Sequence, residues 1–123
     1  MDYQEEKEQR IQILHAERKE LENLISTKDE EINQLYKEII SEQYIGKWFE
    51  DKHNFFRPEN GLCMDNVQGT YISKTHFDIS YGNRHIPTLI GLPEVDEEKV
   101  KETLQRLYED AIKKVFKGGE NNG

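Results

Sequence analysis

Only one cysteine, Cys63, occurs in the 123 residues, so no disulfide can form within the chain, a usage that fits a reducing compartment. No apolar run approaches the ~20 residues of a membrane-spanning helix. The opening Met1 to Glu6 also lacks the basic and apolar regions of a secretory signal. The expectation is a soluble, cytoplasmic protein with no membrane partner. Positive charge is scarce as well: 17 Lys and Arg stand against 25 Asp and Glu, a net charge of -8. Binding duplex nucleic acid through counterion release needs a basic stripe, and none can be found, so duplex nucleic acid is not an expected partner. The glycines spell neither a P-loop nor a dinucleotide fingerprint, which removes the common nucleotide enzymes.

What the chain does have is charge, at 34% of residues against 34% hydrophobic, a balance resembling long-helix or coiled-coil composition. The acidity is uneven, with 12 acidic and 6 basic residues in 1–43. An acidic surface keeps a protein soluble, and it also complements basic grooves of other proteins.

In that first segment Ile11, Leu14, Leu21, Ile25, Ile32, Leu35 and Ile39 recur in alternating steps of three and four, with Arg18 and Lys28 filling the gaps. Ile11, Ile25, Ile32 and Ile39 take heptad position a, and Leu14, Leu21 and Leu35 take d, an arrangement that favours parallel two-stranded coils. Arg18 at a and Lys28 at d weaken it, and Glu17 at g would face Glu22 at e of a parallel partner. A helix over 3–43 would be roughly 60 Å long, whereas the other residues would pack to a diameter of about 30 Å. Part of the stripe would therefore need a second helix, making residues 1–43 a coiled-coil oligomerisation helix and the protein itself its first partner, as a homodimer or higher homo-oligomer. The alternative is a break at Ser26-Thr27, where Ser26 to Glu30 reads as an N-cap with a capping box and would allow a helical hairpin.

From Tyr44 the texture changes, with eight of the twelve aromatics between Tyr44 and Tyr81. Strands are expected over 45–51, 54–57, 62–66, 71–81 and 85–92. Gly82-Asn83 reads as the turn of a tight hairpin setting Ile79 against Ile86, Phe77 against Thr88 and Thr75 against Ile90. Pro87 would place the last strand at an edge. Asp96 then caps a C-terminal amphipathic helix carrying Val100, Leu104, Leu107, Ala111, Ile112, Val115 and Phe116 towards the sheet, and Gly118-Gly119 ends it. The fold class is thus α+β: a long N-terminal coiled-coil helix, a small antiparallel sheet of four to five strands and a C-terminal amphipathic helix, with 44–117 as the α+β module and 118–123 as a disordered tail.

Three constellations could carry chemistry. The expected hairpin puts Lys74, His76, Asp78 and Ser80 on one face with His85 across from Ser80, so Ser80, His85 and Asp78 form the residue set of a nucleophilic triad. No nucleophile elbow accompanies them, and alternation alone puts polar residues on a solvent face; an enzyme is not expected. His76, Asp78 and His85 could contribute to a zinc site, but no fourth ligand is fixed and Cys63 has no partner cysteine, so neither metal nor cofactor is expected. Lys47, Trp48, Lys52, Phe56 and Arg57 interleave rings and cations as single-strand-binding sheets do, and are the candidate ligand-binding residues for a nucleotide or single-stranded nucleic acid. The same rings are the natural core of a small sheet.

At Tyr44-Ile45-Gly46-Lys47-Trp48-Phe49, directly after a charged heptad helix, the chain resembles small accessory proteins of bacterial phages and mobile elements, which join a coiled coil to a short aromatic β-module and a C-terminal helix. The resemblance implies the cytosol of a bacterial host and a protein-binding role, as an inhibitor or adaptor acting on a host defence or nucleic-acid enzyme. It carries over no functional residue. The resulting expectation is a non-enzymatic protein-binding module that self-associates through its first helix.

Overall fold

In the chain's structure, a computed structural model, residues 2–121 are described, with side chains through Phe116. Helix α1 runs Tyr3–Gln43. Asp2 caps it, its Oδ1 accepting the Glu5 N–H at 2.8 Å. Nothing breaks it at Ser26-Thr27: the Thr27 hydroxyl donates to the Asn23 carbonyl one turn back at 3.1 Å, so it serves the helix interior rather than starting a new helix. The stop is Gly46, whose φ of 81° is the left-handed geometry that ends helices, after Tyr44 and Ile45 have both donated to the Ile40 carbonyl.

Five strands follow in one antiparallel sheet: β1 Trp48–Glu50, β2 Asn54–Cys63, β3 Asn66–Ser73, β4 Ile79–His85 and β5 Glu94–Val95, ordered β4-β3-β2-β1-β5. Helix α2, Glu97–Asn121, closes the chain. The class is α+β. The chain divides into two compact units, Met1–Leu35 and Tyr36–Gly123, so the division falls inside α1 and not at its end.

The sheet has a core on each face. Phe55 and Phe56 are consecutive in β2 and both 1% exposed, so alternation sends one ring to each side. Phe56 joins Phe49 and Val67 under Ile40 from the last turns of α1 and under Ile86 and Leu89. Phe55 joins Trp48, Ile72 and Val95 under Val100 and Leu104 of α2. Ile40 is completely buried, whereas its heptad neighbour Ile39 is half-buried; the residue that anchors α1 to the module lies one position off the seam.

The expected hairpin at Gly82-Asn83 does not form. Both residues lie inside β4, with Gly82 opposite Gly69 and Ile79 opposite Ile72. The expected strand 71–81 is split by the 74–78 loop between β3 and β4. The tight turn is Met64-Asp65 between Cys63 and Asn66, with Met64 at φ 53°, so it breaks the expected strand 62–66, while the expected strand 54–57 runs on to Cys63 as β2. Segment 85–92 is not a strand: Pro87 sits in the first turn of a 3-10 helix, Ile86–Thr88, a position where its missing N–H costs nothing. The Leu89 and Ile90 N–H groups close on the Ile86 carbonyl, which directs Ile86 and Leu89 inward together.

Val100 and Leu107 of α2 are buried. Beyond the edge-on contact of Tyr108 with Phe77, at 5.3 Å between centroids, Ile112, Val115 and Phe116 are exposed, contrary to the expectation that they pack on the sheet. The helical backbone also continues through Gly118-Gly119 to Asn121; the rest of the expected tail, 122–123, and the side chains of 117–123 lie outside the described residues.

Gly69 is a steric requirement of the first core. A Cβ there would collide with the Arg57 carbonyl oxygen and sit 2.7 Å from Phe56 Cζ, and neither can withdraw without moving the β2 backbone or a fully buried ring. We therefore expect Gly69→Ala to destabilise the module by about 1–3 kcal/mol, read as a lower urea midpoint at unchanged slope, whereas Gly82→Ala, whose Cβ would meet only Tyr71 at 3.8 Å, should shift the midpoint much less.

Candidate interaction surfaces

The residues expected to form a ligand face do not share one. Trp48 is 7% exposed beneath α2, and Phe56 is buried on the opposite side of the sheet. Arg57 lies over Trp48, 5.0 Å from the ring centroid, and is held by Glu59 at 2.6 Å. Lys47 and Lys52 are exposed. Neither ring offers a free face on which a base could stack, which a single-strand platform needs. What is left at this place is the Trp48 indole N–H, buried without an acceptor among the described residues, next to a shallow cleft lined by Lys47, Glu94 and Asp96.

The Ser-His-Asp set is dispersed by the corrected register. Ser80 lies opposite Tyr71 and His85 opposite Asn66, five residues apart on one strand and so about 16 Å apart on opposite faces. His85 Nε2 is instead 2.6 Å from Asp65 Oδ2 across the tight turn. His76 is 3.8 Å from Asp78 within its own loop, and its Nδ1 is 3.1 Å from the Ser73 hydroxyl. Among the described residues no group of three His, Cys, Asp or Glu stands close enough together to hold a metal.

The acidic groups with perturbed titration are structural staples that the sequence reading did not single out. Glu50 on β1 accepts from Lys74 at 2.9 Å and Lys99 at 3.0 Å, tying the 74–78 loop and α2 to the sheet. The Lys74 and Lys99 hydrogen bonds hold its carboxyl below the usual 4.5. Asp51 closes the β1–β2 turn by accepting the His53 and Asn54 N–H groups at 2.8 and 2.7 Å, and receives Arg84 of β4 at 2.8 Å. Burial pushes the Asp51 carboxyl up, but the bonds from Arg84 and the Asn54 and His53 backbone outweigh it, and the net position is below 3.8. Glu59 is lowered by the Thr70 hydroxyl first and by Arg57 second. Arg84 also lies over the Phe56 ring, 5.6 Å from its centroid, and donates to the Thr88 carbonyl at 3.1 Å. Perturbed carboxylates often mark active sites, yet each of these takes its shift from hydrogen bonds and ion pairs that cross-link neighbouring parts of the sheet, its turns and α2.

The seam residues behave differently. Ile11, Leu14, Leu21, Ile25, Ile32 and Leu35 are 52%, 48%, 61%, 61%, 46% and 57% exposed. Leu24 and Ile13, outside the a and d positions, are exposed as well. Arg18 bonds Glu22 and Lys28 meets Glu31, both along the same helix. Ile39 alone of the seam residues is partly covered.

On the module, Phe77, Ile79, Tyr81 and Tyr108 form a second group of exposed large apolar residues, beside β4, which pairs only with β3 and so has one open edge. No helix among the described residues is long and apolar enough to cross a membrane. Comparison with protein-family models, curated proteins and solved structures finds no match to this chain.

A carboxyl whose pKa is depressed by folding adds stability that is complete above its unfolded value and lost as pH falls through the folded one. Glu50, Asp51 and Glu59 all carry this sign. The module should therefore lose stability from about pH 4.5 downward. Asp51→Asn should cost about 2 kcal/mol at neutral pH and make the acid loss shallower, as thermal unfolding followed from pH 7 to 3 would show.

Proposed function

We propose that this chain is a non-enzymatic protein-binding module that self-associates through α1 and presents the α+β module to another protein, in the inhibitor or adaptor manner implied by its resemblance to phage accessory proteins. The observation that carries the reading is the row of half-exposed isoleucines and leucines from Ile11 to Leu35 on an unbroken helix. Covering a half-exposed Ile or Leu returns about 1 kcal/mol. Six such residues from each of two copies return about 12 kcal/mol, comparable with the 4–15 kcal/mol that association costs; the remaining driving force falls to residues such as Leu24. Support for a second protein partner comes from the exposed Phe77, Ile79, Tyr81 and Tyr108 beside the open edge of β4, since an edge with apolar neighbours can accept an added strand.

Light scattering should give a mass of at least twice the 14.6 kDa chain. Ile25→Asp should shift it towards the monomer and lower helical circular dichroism while the near-ultraviolet signal of the module is kept; a monomeric wild-type protein removes the reading.

The second reading, binding of a nucleotide or single strand near Trp48, has one observation on its side, the buried indole N–H without an acceptor among the described residues. Trp48 is the only tryptophan, so its fluorescence reports directly. We expect no saturable change on titration with nucleoside triphosphates or oligothymidine, and a saturable change would favour this second reading over the first.

A further inference from the structure

Resting on the self-association reading, we propose that two copies of α1 pair antiparallel, about a two-fold axis at Asn23. The a and d positions of the exposed stretch are Ile11, Leu14, Arg18, Leu21, Ile25, Lys28, Ile32 and Leu35. In an antiparallel coil a residues of one helix meet d residues of the other. With the axis at Asn23, Ile11 meets Leu35 of the second copy, Leu14 meets Ile32, Leu21 meets Ile25, and Arg18 meets Lys28. Sliding by one heptad either way puts a cation against Leu21 or Leu35 and another against Ile11 or Ile25. One antiparallel register therefore keeps every apolar seam residue from Ile11 to Leu35 against an apolar partner and sets the two cations of that stretch against each other.

Parallel pairing in register confines the cations too, so the flanking positions decide the orientation. In a parallel coil each g residue meets the following e residue of its partner, which sets Glu17 against Glu22, Arg10 against His15 and the exposed Leu24 against Asp29. None of these attracts, and Leu24, 55% exposed, would lie beside a carboxylate. In the antiparallel coil g residues meet g residues. Leu24 then packs on Leu24 of the second copy next to the two-fold axis, which extends the apolar contact at its centre. Like charges meet in both orientations, since the antiparallel coil sets Glu17 against Glu31 and Glu22 against Glu22 of the second copy, so the Leu24 contact is what separates the two. Glu31 already stands 3.7 Å from Lys28 on its own helix. The exposure of Leu24, unexplained by the a and d seam, follows from this geometry.

Disulfide trapping tests the orientation. In a Cys63→Ser background, chains carrying Ile11→Cys and chains carrying Leu35→Cys are oxidised separately and after mixing and refolding together. Within one helix these positions are about 36 Å apart, far beyond the reach of a disulfide, so any bond joins two chains. We expect a crosslinked dimer in the mixture and none from either variant alone. Crosslinks within each separate variant would overturn the antiparallel orientation while leaving self-association intact. A monomer by light scattering in the same background would instead remove the self-association reading beneath it. Nitroxides on Gln12→Cys, an exposed position off the seam, give a check that leaves the packing untouched: a separation of about 33 Å or more is expected, and one under about 20 Å, the reach of two adjacent parallel helices, overturns the proposal.

Discussion

Two phenylalanines side by side in a strand cannot face the same way, and the pair Phe55-Phe56 therefore obliges the module to build a hydrophobic layer on both sides of a five-stranded sheet. A sheet that small has little apolar material of its own for two layers, so helices and the Ile86–Leu92 segment supply the rest. One side is closed by α2 through Val100 and Leu104; the other recruits the last turns of α1 through Ile40 together with the Ile86–Leu92 segment. The last turns of the long helix are for this reason a core element of the second unit, and the chain divides between Leu35 and Tyr36 instead of at the helix end.

The same two-sidedness explains the distribution of charge. With both faces occupied, polar side chains that alternation would send to solvent come to rest at the margins of the two layers, where they cross-link neighbouring elements. Glu50 joins a loop and a helix to β1, and Asp51 joins the β1–β2 turn to Arg84 on β4. Arg84 is nearly enclosed, with its side chain 12% exposed, and it lies over the Phe56 ring, so one guanidinium serves the turn, the 3-10 segment and the aromatic layer together. A cluster of this kind superficially resembles a reactive site because its carboxyls titrate low. Its donors, however, come from groups that hold the chain in place: Lys74 and Lys99 on Glu50, and Arg84 with two turn N–H groups on Asp51.

Helical segments were legible in the residues, and the sheet was legible in content but not in connection. Period-3.5 spacing identified α1, and Asp96 followed by Val100 and Leu104 identified the start of α2, because those signals are local. Ile40 was invisible to the heptad, since its burial depends on Phe49 and Phe56 arriving from elsewhere. Gly82-Asn83 carried the usual hairpin signature, yet Gly82 lies mid-strand opposite Gly69, whereas the turn that does form uses Met64-Asp65, with a positive φ on a residue that rarely adopts one. Pro58, which argues against a strand interior, is buried in β2 past the start of β1, and its carbonyl receives the Gly46 N–H at 2.8 Å. Misplacing that one turn brought Ser80, His85 and Asp78 together, and the interleaving of rings and cations along 47–57 grouped Trp48 with Phe56, which the sheet buries on opposite faces. The stripe on α1 needed no long-range knowledge and was read directly.

The outermost strand of the sheet has a bearing on how the protein behaves when concentrated. β4 offers unpaired backbone groups along one side, the usual template for uncontrolled strand addition and fibre growth, and Ile79 and Tyr81 would encourage it. The rest of the strand discourages it: Ser80, Gly82, Asn83, Arg84 and His85 include poor strand formers, and Arg84 is drawn inward by Asp51. Sticky residues are thus confined to one end of the rim and polar ones fill the other, which limits how far a foreign strand can zip along it before it meets chemistry that does not match.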